Sequence, residues 1–132
     1  MKRYQAEQRL YELLSKVKFH EDVIDEIINL VVKTGITDQF VKLLAKNIEM
    51  IETLGLEVVQ NKNFEKLKDA NGLYSMKFKG KNMNLRMLYS YDVDTNTIML
   101  HLFYERDDSR RERYEDHIPI ALQRMEIWRG KQ

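Results

Sequence analysis

The 132-residue chain contains no cysteine. Disulfides, thiolate zinc sites and a cysteine nucleophile are therefore excluded. It has a single proline, Pro119, and five glycines. No apolar run approaches the roughly 20 residues that span a bilayer, and Met1-Lys2-Arg3 is not followed by a signal-type apolar segment. The three histidines have no metal-ligand spacing, and there is no EF-hand loop, Gly-rich phosphate loop, serine elbow or paired-carboxylate signature. The expectation is a cytoplasmic protein with neither metal nor cofactor and no membrane contact. Charge of one sign is also lacking: the formal net charge is +1, so no strong whole-molecule field draws the chain to nucleic acid.

What is present is a core and an asymmetry. The chain is 43% apolar and 33% charged, enough for one domain over residues 1–132. Residues 1–60 carry 8 basic and 10 acidic side chains, and residues 61–132 carry 14 and 11. A polyanion site would belong to the second half and be local.

Three runs between Gly72 and Tyr104 alternate with the period of half-buried strands. Tyr74, Met76 and Phe78 oppose Leu73, Ser75, Lys77 and Lys79. Met83, Leu85, Met87, Tyr89 and Tyr91 oppose Asn84, Arg86, Leu88 and Ser90. Ile98, Leu100, Leu102 and Tyr104 oppose Met99, His101 and Phe103. Turn residues at 80–82 and 92–96 separate the runs and predict an antiparallel meander.

Helical patterns flank this unit. Leu10, Leu13, Leu14 and Val17 predict a helix over 3–17, and residues 17–19 also fit a short strand. A second helix, about 21–33, opens on Glu21 and Asp22 and ends at Gly35. A third, about 38–54, is capped by Thr37 or Asp38 and stopped by Gly55. Residues 55–71 read as a connector anchored by Phe64 and Leu67. A last helix lies within Tyr114–Trp128, starting near Pro119, since proline suits a first helical turn.

Lys77, Lys79, Arg86 and His101 fall on one sheet face. Cations there can neutralise phosphate oxygens, and His101 can move a proton. Leu88, Met99 and Phe103 on the same face could stack on bases. The same face also fits the ordinary solvated side of an antiparallel sheet. Arg106, Arg110, Arg111 and Arg113 cluster after the third strand, but Glu105, Asp107, Asp108, Glu112 and Glu115 interleave with them and cancel much of the field. His20 and His117 read as surface residues.

Four segments, in order, resemble the RelE/ParE superfamily of bacterial toxins, especially its HigB-like, phage-associated branch. They are FEKLKDANGLYSMKF, NLRMLYSYD, TIMLHLFYE and IALQRMEIW. The resemblance implies an α+β fold, with N-terminal helices forming a hairpin packed on a twisted antiparallel β-sheet and a C-terminal helix. Residues 1–20 would be a helical N-terminal extension. It implies the toxin of a type II toxin–antitoxin system, a metal-independent mRNA endoribonuclease acting on the ribosome. Its partner would be a helix-turn-helix antitoxin. Matched by position, Arg86, Lys77 and His101 would be catalytic, and Lys79, Lys81, Phe103, Arg106, Arg110 and Arg111 would bind RNA. Tyr89 falls on the greasy face and reads as core. The relatives follow their third strand with lysines, whereas this chain has Glu105, Asp107 and Asp108. That departure suits the alternative, a non-catalytic binding protein on the same fold: a ParE-like topoisomerase inhibitor or a phage-derived interaction module.

Overall fold

The computed structural model describes residues 3–68, 70–91, 97–105 and 110–130, with the side chains of residues 3, 4, 6 and 110–113 excepted. The expected turn at 92–96 and residues 106–109, Arg106 among them, lie outside the described residues. So do the side chains of Arg110 and Arg111.

The architecture is the expected α+β one. Helix α1 (Arg3–Lys16) leads into a two-residue strand, β1 (Lys18–Phe19). Helix α2 (Glu21–Ile27) follows, capped by His20, whose Nδ1 accepts a hydrogen bond from the Asp22 N–H at 3.1 Å. It widens into a π-helical turn over Ile28–Val32, and Gly35 at φ +78° closes it. Helix α3 spans Thr37–Leu54. Neither Thr37 nor Asp38 caps it: the cap position is Ile36, with no side-chain hydrogen bond. The connector carries a 3₁₀ helix (Gly55–Gln60) and a short strand, β2 (Phe64–Lys66). Strands β3 (Leu73–Gly80), β4 (Met83–Ser90) and β5 (Ile98–Tyr104) form the meander. Helix α4 (Arg110–Gly130) ends the described chain.

The sheet order is β1-β5-β4-β3-β2. Four strands are antiparallel, and β1 adds to β5 in parallel, so the sheet is mixed at one edge.

One face carries the main core. Phe40, Leu44 and Ile48 of α3 and Val23 and Ile27 of α2 meet Met76, Phe78, Leu85, Met87 and Tyr89. Phe40 stacks on Phe78 at 4.7 Å. Tyr89 is 1% exposed and stacked on Tyr74 at 5.6 Å. Burial, together with Tyr74, holds its phenol above the usual range.

The opposite face is not a wet face. Leu73, Leu88, Ile98, Leu100 and Phe103 are buried under Ala121 and Met125 of α4. The apolar positions that alternation left among the lysines have a helix to pack against, and the hydrophobic effect covers them.

Two expectations about the second half need correction. Helix α4 does not start near Pro119; it runs from Arg110 with Pro119 inside it. Proline removes one backbone donor and crowds the preceding turn. Packing on both sides holds the helix through it: Tyr114 before, Ala121 and Met125 after.

Alternation along β5 also fails. The ladder slips at Leu88/Tyr89, pairing Leu88 with His101 and Tyr89 with Met99, so Leu100 is extra. Such a bulge turns consecutive residues to one side. Met99 therefore joins Leu102 in the main core, while Ile98 and Leu100 join Phe103 under α4.

Candidate functional site

Beneath α4, three rows of side chains cross β3, β4 and β5. The register aligns Lys79 with Asn84, Lys77 with Arg86 and Phe103, and Ser75 with Leu88 and His101. Two polar clusters stand in this pattern.

The first is built around Arg86, which is only 2% exposed. Its Nη1 donates to Asn84 Oδ1 at 3.0 Å and to the Leu85 carbonyl at 2.9 Å. Its Nη2 donates to Glu105 Oε1 at 3.3 Å. Its Nε lies 3.0 Å from Glu105 Oε2. That contact lacks hydrogen-bond geometry and is an ion pair only. Glu105 is itself buried. Its backbone is pinned by Asn84, which accepts the Glu105 N–H at 2.9 Å and donates Nδ2 to the Glu105 carbonyl at 2.6 Å. A buried guanidinium needs a counter-charge, and Glu105 supplies it.

The second cluster lies at the free stretch of the β5 edge. Strand β1 covers only Ile98 and Met99, and the ladder is extended by the His20 N–H donating to the Met99 carbonyl at 2.9 Å. Beyond it, side chains take over the pairing of the edge. Arg124 Nη1 donates to the Leu100 carbonyl at 2.8 Å, and the Leu102 N–H donates to Glu26 Oε1 at 3.0 Å. Arg124 and Glu26 also bridge each other, with Nη1 3.0 Å from Oε2. One carboxylate of α2 and one guanidinium of α4 thus complete the sheet edge together.

His101 is drawn into the same place by the bulge. Its Nδ1 is 2.7 Å from Glu26 Oε2, and its Nε2 is 2.7 Å from His117 Nδ1. The ionised carboxylate can only accept, so Nδ1 of His101 carries the hydrogen. A neutral His101 accepts at Nε2 from His117 Nδ1, whereas a protonated one donates there to His117. Arg124 Nη1 is 3.2 Å from His101 Nδ1. Both carry hydrogens in this tautomer, so this is packing and not a hydrogen bond. The result is a chain of side chains, Glu26 to His101 to His117, that crosses α2, β5 and α4.

Electrostatics agree. Burial works against a charged Glu26, but the hydrogen bonds from His101 and the Leu102 N–H, and the charges of His101 and Arg124, outweigh it. They hold its pKa below the usual carboxylate range. Phe103 stacks on His117 at 4.0 Å and 10°, and on His101 at 5.8 Å. Tyr114 closes the site, edge-on to Phe103 at 5.6 Å with its hydroxyl 3.1 Å from Ser75 Oγ. Burial raises the Tyr114 pKa, which the Ser75 hydrogen bond and Arg86 partly offset, so it remains a neutral phenol near pH 7.

Of the residues expected at the site, Arg86, Lys77, His101 and Phe103 do share one face. Arg86, His101 and Phe103 are buried, and Lys77 is half-buried. Phe103 is covered by His117 instead of being presented for stacking, and Met99 faces the other way. Lys79 and Lys81 are exposed near the β3–β4 turn. Sequence reasoning missed Glu26, Arg124 and the pairing of Glu105, and it placed His117 at the surface. A signal for His117 exists. Tyr114, Ile118, Ala121, Met125 and Trp128 recur at alternating spacings of four and three, the stripe of a packed helix, and His117 lies beside it. Starting the helix at Pro119 hides that stripe. Among the described residues no group of three or more His, Cys, Asp or Glu could hold a metal ion, and no helix is long and apolar enough to cross a membrane.

The geometry defines an α+β protein with a sheet buried on both faces, carrying a carboxylate–histidine–histidine chain and a buried arginine–glutamate pair under its C-terminal helix. Residues 36–126 match the model of the family described as Phage derived protein Gp49-like (DUF891). The chain belongs to this Gp49-like family. The matched region holds His101, Glu105, His117 and Arg124, whereas Glu26 precedes it. No curated protein and no solved structure gives a significant match.

Proposed function

We propose that the protein is the toxin of a type II toxin–antitoxin pair and cleaves mRNA by metal-independent transesterification, with the ribosome presenting the message. Its partner would be the antitoxin, a helix-turn-helix protein. The Gp49-like family and the resemblance to RelE-type toxins support the class. The observation that carries the chemistry is the Glu26–His101–His117 chain, with its two 2.7 Å links.

In this reading His117 Nε2 takes the proton of a ribose 2′-hydroxyl. The 2′-oxygen attacks the adjacent phosphorus, the bond from phosphorus to the 5′-oxygen breaks, and that oxygen takes a proton from solvent. The products are a 2′,3′-cyclic phosphate and a 5′-hydroxyl. Glu26 and His101 spread the charge that His117 acquires, so they act as positioning residues. A general base in such a place contributes about 10²–10⁴-fold. Lys77 and Lys79 would hold the RNA backbone.

The buried Arg86–Glu105 pair favours a second reading, a non-catalytic interaction module. There the arginine serves only the fold, and the exposed surface binds a protein such as a topoisomerase subunit. Expression of the wild type and His117→Asn in a bacterial host, with mapping of mRNA ends, separates the two. Catalysis predicts growth arrest and new ends with the wild type alone. Arrest by both proteins without new ends supports the binding module.

A further inference from the structure

Arg86 points into the sheet face from the middle strand, yet a carboxylate fills the place an anionic ligand would take. Glu105 Oε1 accepts from Nη2 of Arg86 at 3.3 Å, while Oε2 lies 3.0 Å from Nε without hydrogen-bond geometry, so Nε and Oε2 are buried without a hydrogen-bond partner. The pair is incompletely made, on a guanidinium edge that can receive either a carboxylate or a phosphate. The Glu105 backbone lies one residue beyond the end of β5 and is fixed on both sides by Asn84. Its side chain can therefore rotate away without breaking a ladder hydrogen bond. Among the described residues, Lys79 and Tyr104 are exposed near that end, and with Asn82 and Asn84 they line a cleft of about 490 Å³.

We propose that Glu105 is an internal stand-in for a phosphodiester, and that a backbone phosphate of single-stranded RNA displaces it from Arg86. The proposal rests on the RNA reading above and adds how that site is kept shut. The exchange is neutral in charge. One monoanion leaves the guanidinium as another arrives, so a buried arginine is never left unpaired, which would be the costly state. The released carboxylate reaches water at the strand end, on the side where Lys79 supplies a cation. Apparent affinity is then the intrinsic affinity reduced by the fraction of molecules in which Glu105 is displaced. Glu105 is, on this view, a brake on RNA binding and not its loss.

The test is binding of a short single-stranded RNA carrying 2′-O-methyl groups, which cannot be cleaved, by fluorescence anisotropy across a salt series. Glu105→Gln keeps an acceptor for Arg86 but removes the competing charge. It should bind about tenfold more tightly than wild type. Its salt dependence should match that of the wild type, because both complexes hold the same phosphate on Arg86. Equal or weaker binding by a Glu105→Gln variant with the wild-type circular dichroism spectrum overturns the proposal, as does absence of binding by both. Should that variant not fold, the wild-type Arg86 Nε–Hε resonance is decisive. It should shift on saturation with the RNA, and an unmoved resonance overturns the proposal. Incubation of both proteins with unmodified RNA separates this from the cleavage reading: tighter binding by Glu105→Gln with no new RNA ends from either protein supports the brake and overturns the cleavage reading.

Discussion

His101 Nε2 lies 2.7 Å from His117 Nδ1, across the interface between strand β5 and helix α4. This contact ties the C-terminal helix to the sheet and, with Glu26 on the far nitrogen of His101, joins α2 as well. Three elements distant in sequence meet in one chain of side-chain contacts.

The Arg86–Glu105 pair sets a stability prediction. Arg86→Ala leaves Glu105 buried without a counter-charge and should cost about 3–5 kcal/mol in urea denaturation. Replacing both with apolar residues, Arg86→Met with Glu105→Leu, should recover most of that loss. A double variant no more stable than Arg86→Ala would show that the cost comes from packing and not from the unpaired charge.

Glu26 gives a pH prediction with a definite sign. Its pKa in the folded protein is lowered from an ordinary value of 4.5. The stabilisation is therefore fully present above about pH 4.5 and lost as the pH falls through the lower folded value. Melting temperatures of wild type and Glu26→Gln should differ by a constant amount near neutrality and converge in acid below that point. A gap that persists unchanged into strong acid would contradict the account of Glu26.

Pro119 is exposed inside α4 and leaves the helix one hydrogen bond short. Pro119→Ala should raise stability, by about 1–3 kcal/mol if the turn relaxes fully. A lower melting temperature would mean that the packing of His117 depends on the geometry proline imposes.

The three strands of the meander and the first three helices were legible because their signals are local. Alternation in β3 and β4 gave their faces, and apolar stripes with Gly35 and Gly55 gave α2 and α3, whereas β2 was hidden in the connector. The rest depended on contacts no local pattern encodes. The Leu100 bulge is a tertiary choice, and it decides which way His101 points. Glu105 read as a lost positive charge because nothing in sequence shows that it lies against Arg86. Nothing in the sequence singles out Glu26. Only the sheet edge that β1 leaves unpaired gives it a role.

The most direct measurement is cleavage of a message bound to purified ribosomes by purified protein, with analysis of the termini. The account predicts 2′,3′-cyclic phosphate and 5′-hydroxyl ends from the wild type. It predicts a rate about 10²–10⁴-fold lower for His117→Asn, with a smaller loss for Glu26→Gln. Equal rates for wild type and His117→Asn, or no cleavage by the wild type with its antitoxin removed and ribosomes supplied, would contradict it.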